Sequence, residues 1–145
     1  MQSNDEYYRF SCFEKETGEL VGHIDFHIYE RGVLQFSNFG YILHGPHWGK
    51  GYATEMSLEG LKIGFKHLKL HRLEGSINIG NTRSVKLARR IGMKCEGIKK
   101  RYWFEDGVWT DQHIYVATPK DIGLKEESPG PAQLGRQLNS RRLKK

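Results

Sequence analysis

The sequence predicts an α+β domain: a mixed, mostly antiparallel central sheet that contains one strand–helix–strand (βαβ) core and is flanked by helices. Short alternating apolar runs joined by turns occupy the beginning and the later part of the chain, which is typical of antiparallel strands. Between them, a strand leads through a proline-free helical pattern into another strand. This succession predicts two parallel strands joined by a right-handed crossover.

Alternation of apolar and polar residues defines the strands. The predicted strands are 7–15, 20–29, 33–43, 69–79, 93–104 and 108–118. The last two are joined by Glu105-Asp106-Gly107, where Asp-Gly favours a tight hairpin. On the second strand, His23, Asp25 and His27 share one face. Three such side chains together could form a metal site or a proton relay. A solvated face is favoured, because antiparallel sheets commonly leave one side in water.

Two stretches have helical periodicity. The first helix is predicted over 51–68, and the second opens at Asn81, a common N-cap residue, and stops at Gly92. Gly60 and Gly64 lie inside the first helix, where each costs roughly 1 kcal/mol relative to alanine. Their presence predicts that this helix packs closely on the sheet.

Length and charge indicate one domain and a tail. The 145 residues suit a single core, which we place in residues 1–120, followed by a basic tail, residues 121–145. The net charge is +6, but residues 129–145 hold five basic residues and no acidic one, which leaves +1 for the rest. The body therefore has no large positive excess for nucleic acid. The tail is predicted to be disordered, with contact to RNA or a ribosome as an alternative.

The sequence favours a cytoplasmic protein. No run reaches the roughly 18 apolar residues of a membrane span, and the N-terminus lacks the regions of a signal peptide. Cys12 and Cys95 are isolated and fit no metal-ligand spacing, and they are most simply small core residues. We expect no metal site and no membrane partner.

A glycine-rich turn, residues 44–51, links the third strand to the first helix. The first amides of a helix have no intrahelical acceptor, and with the helix dipole they suit an anion such as a pyrophosphate. Gly49 and Gly51 would allow a ligand to approach the backbone. A plain strand–helix turn without a ligand is the alternative that these residues alone leave open.

The segment Trp48-Gly49-Lys50-Gly51-Tyr52-Ala53-Thr54-Glu55 resembles the acyl-CoA loop of the GNAT N-acetyltransferases, especially the branch that acetylates ribosomal-protein N-termini. The family loop reads Gln/Arg-x-x-Gly-x-Gly/Ala, which Gly51 and Ala53 match and from which Trp48 departs. Two more blocks follow in order: Asn81-x-x-Ser84 with Ile91-Gly92-Met93 and Glu96-Gly97, and the hairpin over 107–111. The resemblance covers roughly residues 20–118.

The resemblance implies how acetyl-CoA, as co-substrate, would bind. The strands 33–43 and 69–79 would splay apart, and the acetyl group and pantetheine would lie in the gap. The residues expected to contact the cofactor are Tyr41, Ile42, Leu43, Trp48, Gly49, Lys50, Gly51, Tyr52, Ala53, Thr54, Asn81 and Ser84. Asn81 has an alternative role as the N-cap of its helix.

The implied reaction is direct attack of a neutral amine on the thioester in a ternary complex. Ser84 would stabilise or protonate the leaving thiolate, and Ala88 stands where many family members have a tyrosine acid. Glu55, Glu74, His44 or a relayed water are the candidate bases. Glu55, on a first helical turn, has an alternative role in compensating the helix dipole.

The acceptor is expected to be a protein or peptide N-terminus. Deprotonating an α-amine at pH 7 costs roughly 1 kcal/mol, whereas a lysine costs nearly 5 kcal/mol. The alternatives are a small amine (a polyamine or an antibiotic) or a non-catalytic acyl-CoA-binding module. Family members usually carry a further strand and two helices before the strand that starts near Tyr7. The alternatives are that the sequence is a fragment, that its start lies upstream, or that a partner chain supplies this part; a sheet edge left open in this way favours pairing, for example in a homodimer.

Overall fold

Six strands form one mixed sheet in the computed structural model, which describes residues 5–130 and Leu134. The strand order is β1-β2-β3-β4-β6-β5, and every neighbouring pair is antiparallel except β3 with β4. The elements are β1 Tyr7–Phe13, β2 Leu20–Glu30, β3 Phe36–Leu43, α1 Tyr52–Lys66, β4 Arg72–Asn78, α2 Thr82–Arg90, β5 Lys94–Glu105 and β6 Val108–Ala117. The predicted fold class is confirmed.

The strands β3 and β4 pair only briefly. Their register joins Phe36 to Arg72, Ser37 to Leu73 and Asn38 to Glu74, and no further pairs follow. Beyond that point β4 pairs with β6, while β3 continues along β2 to Leu43. The two parallel strands therefore diverge in the direction of the glycine-rich turn, as the family resemblance implied.

Both helices pack on the same face of the sheet. A Cβ on Gly60 would lie 2.8 Å from the Phe39 ring, and one on Gly64 would lie 2.8 Å from a Leu73 methyl. The two glycines thus let α1 approach β3 and β4, as their positions predicted. The second helix reaches this face too, where Arg89 donates a hydrogen bond to the Tyr115 hydroxyl of β6 (3.1 Å). The hydrophobic core lies between these helices and the sheet.

The opposite face of the sheet carries buried polar side chains beside the apolar Ile114 and Val116, and no helix of the described residues covers it. The alternation of the strands places Asp25, Asn38, Glu74 and Gln112 on this face. The residues next to the first three (Phe26, Phe39 and Leu73) and Tyr115, three positions after Gln112, are core residues on the other face. The two faces of one sheet therefore differ in chemistry. We call them the helix face and the open face.

The third strand starts at Phe36, three residues later than predicted, because a buried turn precedes it. Gln35 is 2% exposed and has a left-handed φ of 42°. Its side chain donates to Gly32 O (3.0 Å), and its own carbonyl accepts from His71 N (2.8 Å) and Arg72 N (3.1 Å). A buried amide needs hydrogen-bond partners of this kind. The bonds from His71 and Arg72 also make β4 start at Arg72, later than the predicted residue 69.

The hairpin between β5 and β6 is the tight turn that the sequence predicted. Asp106 and Gly107 have φ values of 49° and 80°, which is the pattern of a type I′ turn. A register shift lies between Lys99 and Trp103 of β5, and within it Arg101 has a φ of 46°. Such a bulge bends the strand and increases its twist.

The described chain continues past β6 against the core. A short 3-10 helix, Pro119–Ile122, is capped by Asp121, which accepts hydrogen bonds from the amide and the hydroxyl of Thr118. Ile122 and Leu124 are partly buried against the core cluster, so the last core contacts come after the predicted boundary at residue 120. Apart from Leu134, the rest of the predicted tail lies outside the described residues.

Candidate functional site

The divergence of β3 and β4 opens a cavity of about 1140 Å³ between them. One wall is β3 from Asn38 to Leu43, and the facing wall is β4 from Gly75 to Asn78. The turn before α1 and one side of α2 complete the wall on the helix face. Small-molecule sites usually measure about 300–1,000 Å³, so the cavity is large enough for an extended ligand.

The glycine-rich turn lines the end of the cavity next to α1. Gly49 and Gly51 have φ values of 77° and 83°, and no atom lies within 4 Å of a Cβ built on either. Gly51 is the N-cap of α1, and Ala53 and Thr54 of its first turn also line the cavity. The left-handed backbone requires glycine here, and the open space beside it lets a ligand approach the first amides of the helix.

A tryptophan–arginine contact links the two helix starts at the cavity wall. Trp48 Nε1 donates to Leu43 O (2.8 Å), and the Arg83 guanidinium carbon lies 4.8 Å from the centre of the Trp48 ring. This is a cation–π geometry. Arg83, Lys86 and Arg90 of α2 all line the cavity, and Arg90 also donates to Thr54 Oγ1 (3.2 Å). The helix-face side of the cavity is therefore cationic.

The start of α2 brings three predicted residues together. The Asn81 side chain accepts a hydrogen bond from Ser84 N (3.2 Å), so it does act as the N-cap of α2. The Ser84 hydroxyl lies 3.5 Å from the Tyr41 hydroxyl of β3. All three residues line the cavity, and each of the two hydroxyls can donate a hydrogen bond inside it.

The structure places most, but not all, of the predicted cofactor residues on this cavity. Those that line it are Tyr41, Ile42, Leu43, Trp48, Gly49, Gly51, Ala53, Thr54, Asn81 and Ser84. Lys50 and Tyr52 are not among the lining residues. The Tyr52 hydroxyl instead donates to Glu14, which raises the pKa of Tyr52, and its ring packs against His47.

The two predicted carboxylate bases are not among the lining residues. Glu55 is exposed on the first turn of α1. Glu74 is only 5% exposed and lies on the open face, where Lys99 Nζ (3.0 Å) and Arg72 Nη2 (3.1 Å) reach its two oxygens. The hydrogen bond to Glu74 raises the pKa of Lys99, so the lysine remains charged and the carboxylate is neutralised by two cations.

The residues that sequence reasoning missed include four that line the cavity from the open face. These four are Asn78, Trp103, Glu105 and Gln112. Asn78 Nδ2 donates to Glu105 Oε2 (3.0 Å), although the two residues are 27 positions apart. The Asp-Gly turn could have shown that Glu105 ends a strand. No local pattern indicates the bulge in β5, however, so the contact between Glu105 and Asn78 of β4 could not be predicted.

Asp25, one of the three polar residues that share a face of β2, is ion-paired. Asp25 accepts hydrogen bonds from Tyr7 (2.6 Å) and Arg9 Nε (2.7 Å), and His23 Nε2 lies 3.3 Å from its other oxygen. Burial raises the pKa of Asp25, but the bonds from Arg9 and Tyr7 outweigh it and hold this pKa below its ordinary value. Within residues 5–130, no group of three or more His, Cys, Asp or Glu side chains is placed to hold a metal.

Neither described α-helix combines the length and the apolar character that crossing a membrane requires.

Comparison with known proteins identifies the relatives of this chain. A family model described as an acetyltransferase (GNAT) domain matches residues 1–94. The chain is 33% identical over 118 residues to the probable N-acetyltransferase YjcK of Bacillus subtilis (strain 168), which covers 81% of this chain and 65% of the relative. It is 29% identical over 115 residues to the ribosomal protein uS5-alanine N-acetyltransferase of Escherichia coli (strain K12), covering 79% and 59%. The chain thus spans less than two thirds of either relative.

Solved structures share the fold. RimJ of Mycobacterium smegmatis, solved in complex with CoA-disulfide, has a TM-score of 0.76 at 27% identity, covering 94% of this chain and 61% of that one. A chimera of the spermidine N-acetyltransferase SpeG from Vibrio cholerae and hSSAT also has a TM-score of 0.76, covering 83% and 71%. Its identity is 21%, so it is similar in fold alone.

Proposed function

Because the chain belongs to the GNAT acetyltransferase family, we propose that it binds acetyl-CoA in the cavity between β3 and β4 and transfers the acetyl group to an amine. The observation that carries the proposal is the cavity itself. It combines a glycine-rich turn at a helix start, a cationic wall and the free edges of two diverging strands. An anionic, elongated thioester such as acetyl-CoA matches these three features.

Each part of the cavity suits one part of the cofactor. The amides after Gly49 and Gly51 would hold the pyrophosphate, and charge-assisted hydrogen bonds of this kind are worth roughly 1.5–3 kcal/mol each. The unpaired edge of β3 from residue 39 to 43 would bond to the pantetheine amides, in the manner of an added strand. Arg83, lying on Trp48, would bind a phosphate of the nucleotide end.

The reaction would proceed by direct attack. The amine nitrogen forms a bond to the thioester carbonyl carbon, the carbon–sulfur bond breaks, and the amine proton leaves to water. Ser84 and Tyr41 are two neighbouring hydroxyls that line the cavity, and either would donate a proton or a hydrogen bond to the thiolate. We assign no base to Glu55, which does not line the cavity, or to Glu74, which is neutralised by Arg72 and Lys99.

The proposed acceptor is a protein or peptide N-terminus. A relative is named for acetylating the alanine of ribosomal protein uS5, and an α-amine costs roughly 4 kcal/mol less to deprotonate at pH 7 than a lysine. The ion pairs of the open face support this choice over a polycation. Asp25 with Arg9, Glu74 with Lys99 and Glu96 with Arg72 are already neutralised. A small-amine acceptor is the second candidate, because a spermidine N-acetyltransferase shares the fold.

Two measurements on the full chain test this function. Titration calorimetry with acetyl-CoA is expected to show saturable one-site binding, weaker for dephospho-CoA and for adenosine diphosphate. Product analysis would then compare an alanine-starting peptide, the same peptide with a blocked N-terminus, and spermidine. Binding without any acetylated product would indicate a non-catalytic acyl-CoA-binding module. A folded chain that does not bind acetyl-CoA would refute the proposal.

The described residues do not test three other expectations from the sequence. Cytoplasmic location, a homodimer that covers an open sheet edge, and contact of the basic tail with RNA or a ribosome remain predictions. The tail hypothesis has a direct test. Binding to RNA should weaken with salt and disappear when residues 129–145 are deleted.

A further inference from the structure

The cavity carries opposite charges on its two sides. On the helix face its ionisable lining is cationic and comes from α2: Arg83, Lys86 and Arg90. On the open face its lining includes Asn78, Gln112, Trp103 and Glu105. Among the described residues, Glu105 is the one acidic side chain that lines the cavity. The anionic cofactor and a cationic acceptor would therefore be drawn to different sides.

One hydrogen bond, from Asn78, orients the Glu105 carboxylate. Asn78 Nδ2 donates to Glu105 Oε2 (3.0 Å), and the side-chain oxygen Oδ1 of Asn78 accepts from Gly80 N (2.9 Å). Asn78 is thus oriented by its own backbone turn and presents its amide hydrogen to the carboxylate. Glu105 forms no ion pair with any described Lys, Arg or His. Its negative charge, unlike those of Asp25 and Glu74, is available to a ligand.

An aromatic residue shares the strand face that carries this carboxylate. Trp103 lies two residues before Glu105 on β5, so the two side chains share a face of the strand. The tryptophan is 56% exposed and also lines the cavity. A carboxylate beside an exposed indole is a combination that attracts an ammonium group, by charge and by the cation–π effect. A neutral or anionic ligand would gain from neither.

We propose that Glu105, held by Asn78 and adjacent to Trp103, binds the ammonium group of the acceptor and draws the amine into the cavity from the open face. This inference rests on the proposed acetyl transfer, and it assigns the acceptor side of that site to the β5–β6 hairpin. Glu105 binds and orients the amine, which then loses its proton to water before attack. The acceptor class is an amine that is positively charged in solution, entering opposite the cofactor phosphates.

A binding experiment tests the inference without acetyl transfer. The probe is alaninamide, whose amine is charged, and the comparison is N-acetylalaninamide, which is neutral. The indole N–H resonance of Trp103, assigned by its loss in Trp103→Phe, is followed by NMR in the full chain. It should move saturably with alaninamide and not with N-acetylalaninamide. Equal responses to the two probes would overturn the inference.

Two matched variants isolate the charge of Glu105. Glu105→Gln keeps an oxygen for Asn78 and removes the charge, while Asp106→Asn removes the same charge one residue away. Asp106 does not line the cavity, and Asn tolerates its left-handed φ. Alaninamide affinity should fall about three- to fivefold in Glu105→Gln, as expected for an exposed charge pair. Asp106→Asn should bind like the wild type, and an equal loss in both variants would refute a specific site.

The role of Asn78 follows from a double-mutant cycle. Asn78→Ala should weaken alaninamide binding in the wild-type background and have no further effect in Glu105→Gln, because it acts through the carboxylate. Additive losses would refute positioning by Asn78.

Transfer kinetics add a readout that separates the two proposals. With an alanine-starting peptide, Glu105→Gln should raise KM for the peptide about three- to fivefold while kcat and acetyl-CoA affinity stay unchanged. A loss in kcat alone would overturn the binding role. If the wild type transfers acetyl to no amine, the proposed function fails, and the NMR comparison still decides whether Glu105 binds an ammonium group.

Discussion

The substitution Gly51→Ala separates an effect on folding stability from an effect on acetyl-CoA affinity. Gly51 has a φ of 83°, and a Cβ added to it would meet no atom within 4 Å. The structure therefore predicts backbone strain without a clash, roughly 1 kcal/mol for an L residue in the left-handed region. The same methyl would project beside the amides that we assign to the pyrophosphate. Loss of one charge-assisted hydrogen bond would weaken acetyl-CoA binding about tenfold or more.

Gly18→Ala is the matched control. Gly18 has a φ of 70° and also has no atom within 4 Å of its added Cβ, but it lies in the turn between β1 and β2 and does not line the cavity. Urea unfolding should show a similar destabilisation in both variants, whereas calorimetry should show weaker acetyl-CoA binding in Gly51→Ala alone. Unchanged affinity in folded Gly51→Ala would refute the assignment of this turn to the cofactor.

Three other predictions follow from described contacts. Arg83→Gln should weaken acetyl-CoA binding about tenfold by calorimetry, whereas Lys62→Gln, on the exposed side of α1, should not; equal effects would indicate only a change in net charge. Gly22→Ala would place a Cβ 2.1 Å from Ile42 O, so β2 and β3 must separate, and urea unfolding should show a loss of about 1–3 kcal/mol. Gly40→Ala, with no atom within 4 Å, should show no comparable loss. Burial raises the pKa of Asp121, but hydrogen bonds from Thr118 and Lys94 outweigh it and hold this pKa below its ordinary value. Its contribution is therefore present above the unfolded pKa of about 3.9 and is lost as pH falls through the folded value. Asp121→Asn should cost about 1 kcal/mol at pH 7, because it weakens the hydrogen bonds that the charged carboxylate accepts, and its difference from the wild type should shrink below about pH 4; a pH-independent difference would contradict this reasoning.

The elements that the sequence predicted are those determined by neighbouring residues. Alternation located the strands to within a few residues, and Asp106-Gly107 correctly announced a tight hairpin. The start of β3 was predicted three residues early, because Val33 and Leu34 continue an apolar pattern that the chain does not use. The turn around Gln35 instead depends on bonds to His71 and Arg72, which are distant in sequence.

At the candidate site, too, the sequence predicted the features set by neighbouring residues and missed those set by distant ones. The glycine-rich turn is contiguous in sequence, since a strand end, glycines and a helix start must follow one another there. Its residues Gly49 and Gly51 do line the cavity. The candidate bases were chosen from residue type and local position, which say nothing about what faces them across the sheet. Glu74 is held between Arg72 and Lys99, and Glu55 does not line the cavity.

The sequence by itself determined the order of the elements, the glycine-rich turn and the family, because these depend on periodicity, turn chemistry and short contiguous motifs. Only the tertiary structure decided which charges face the cavity and which are neutralised. Asn78 and Glu105 meet because β4 and β5 flank the same strand and because β5 is bulged between Lys99 and Trp103. Such a contact depends on sheet order and twist, which no local pattern of residues specifies.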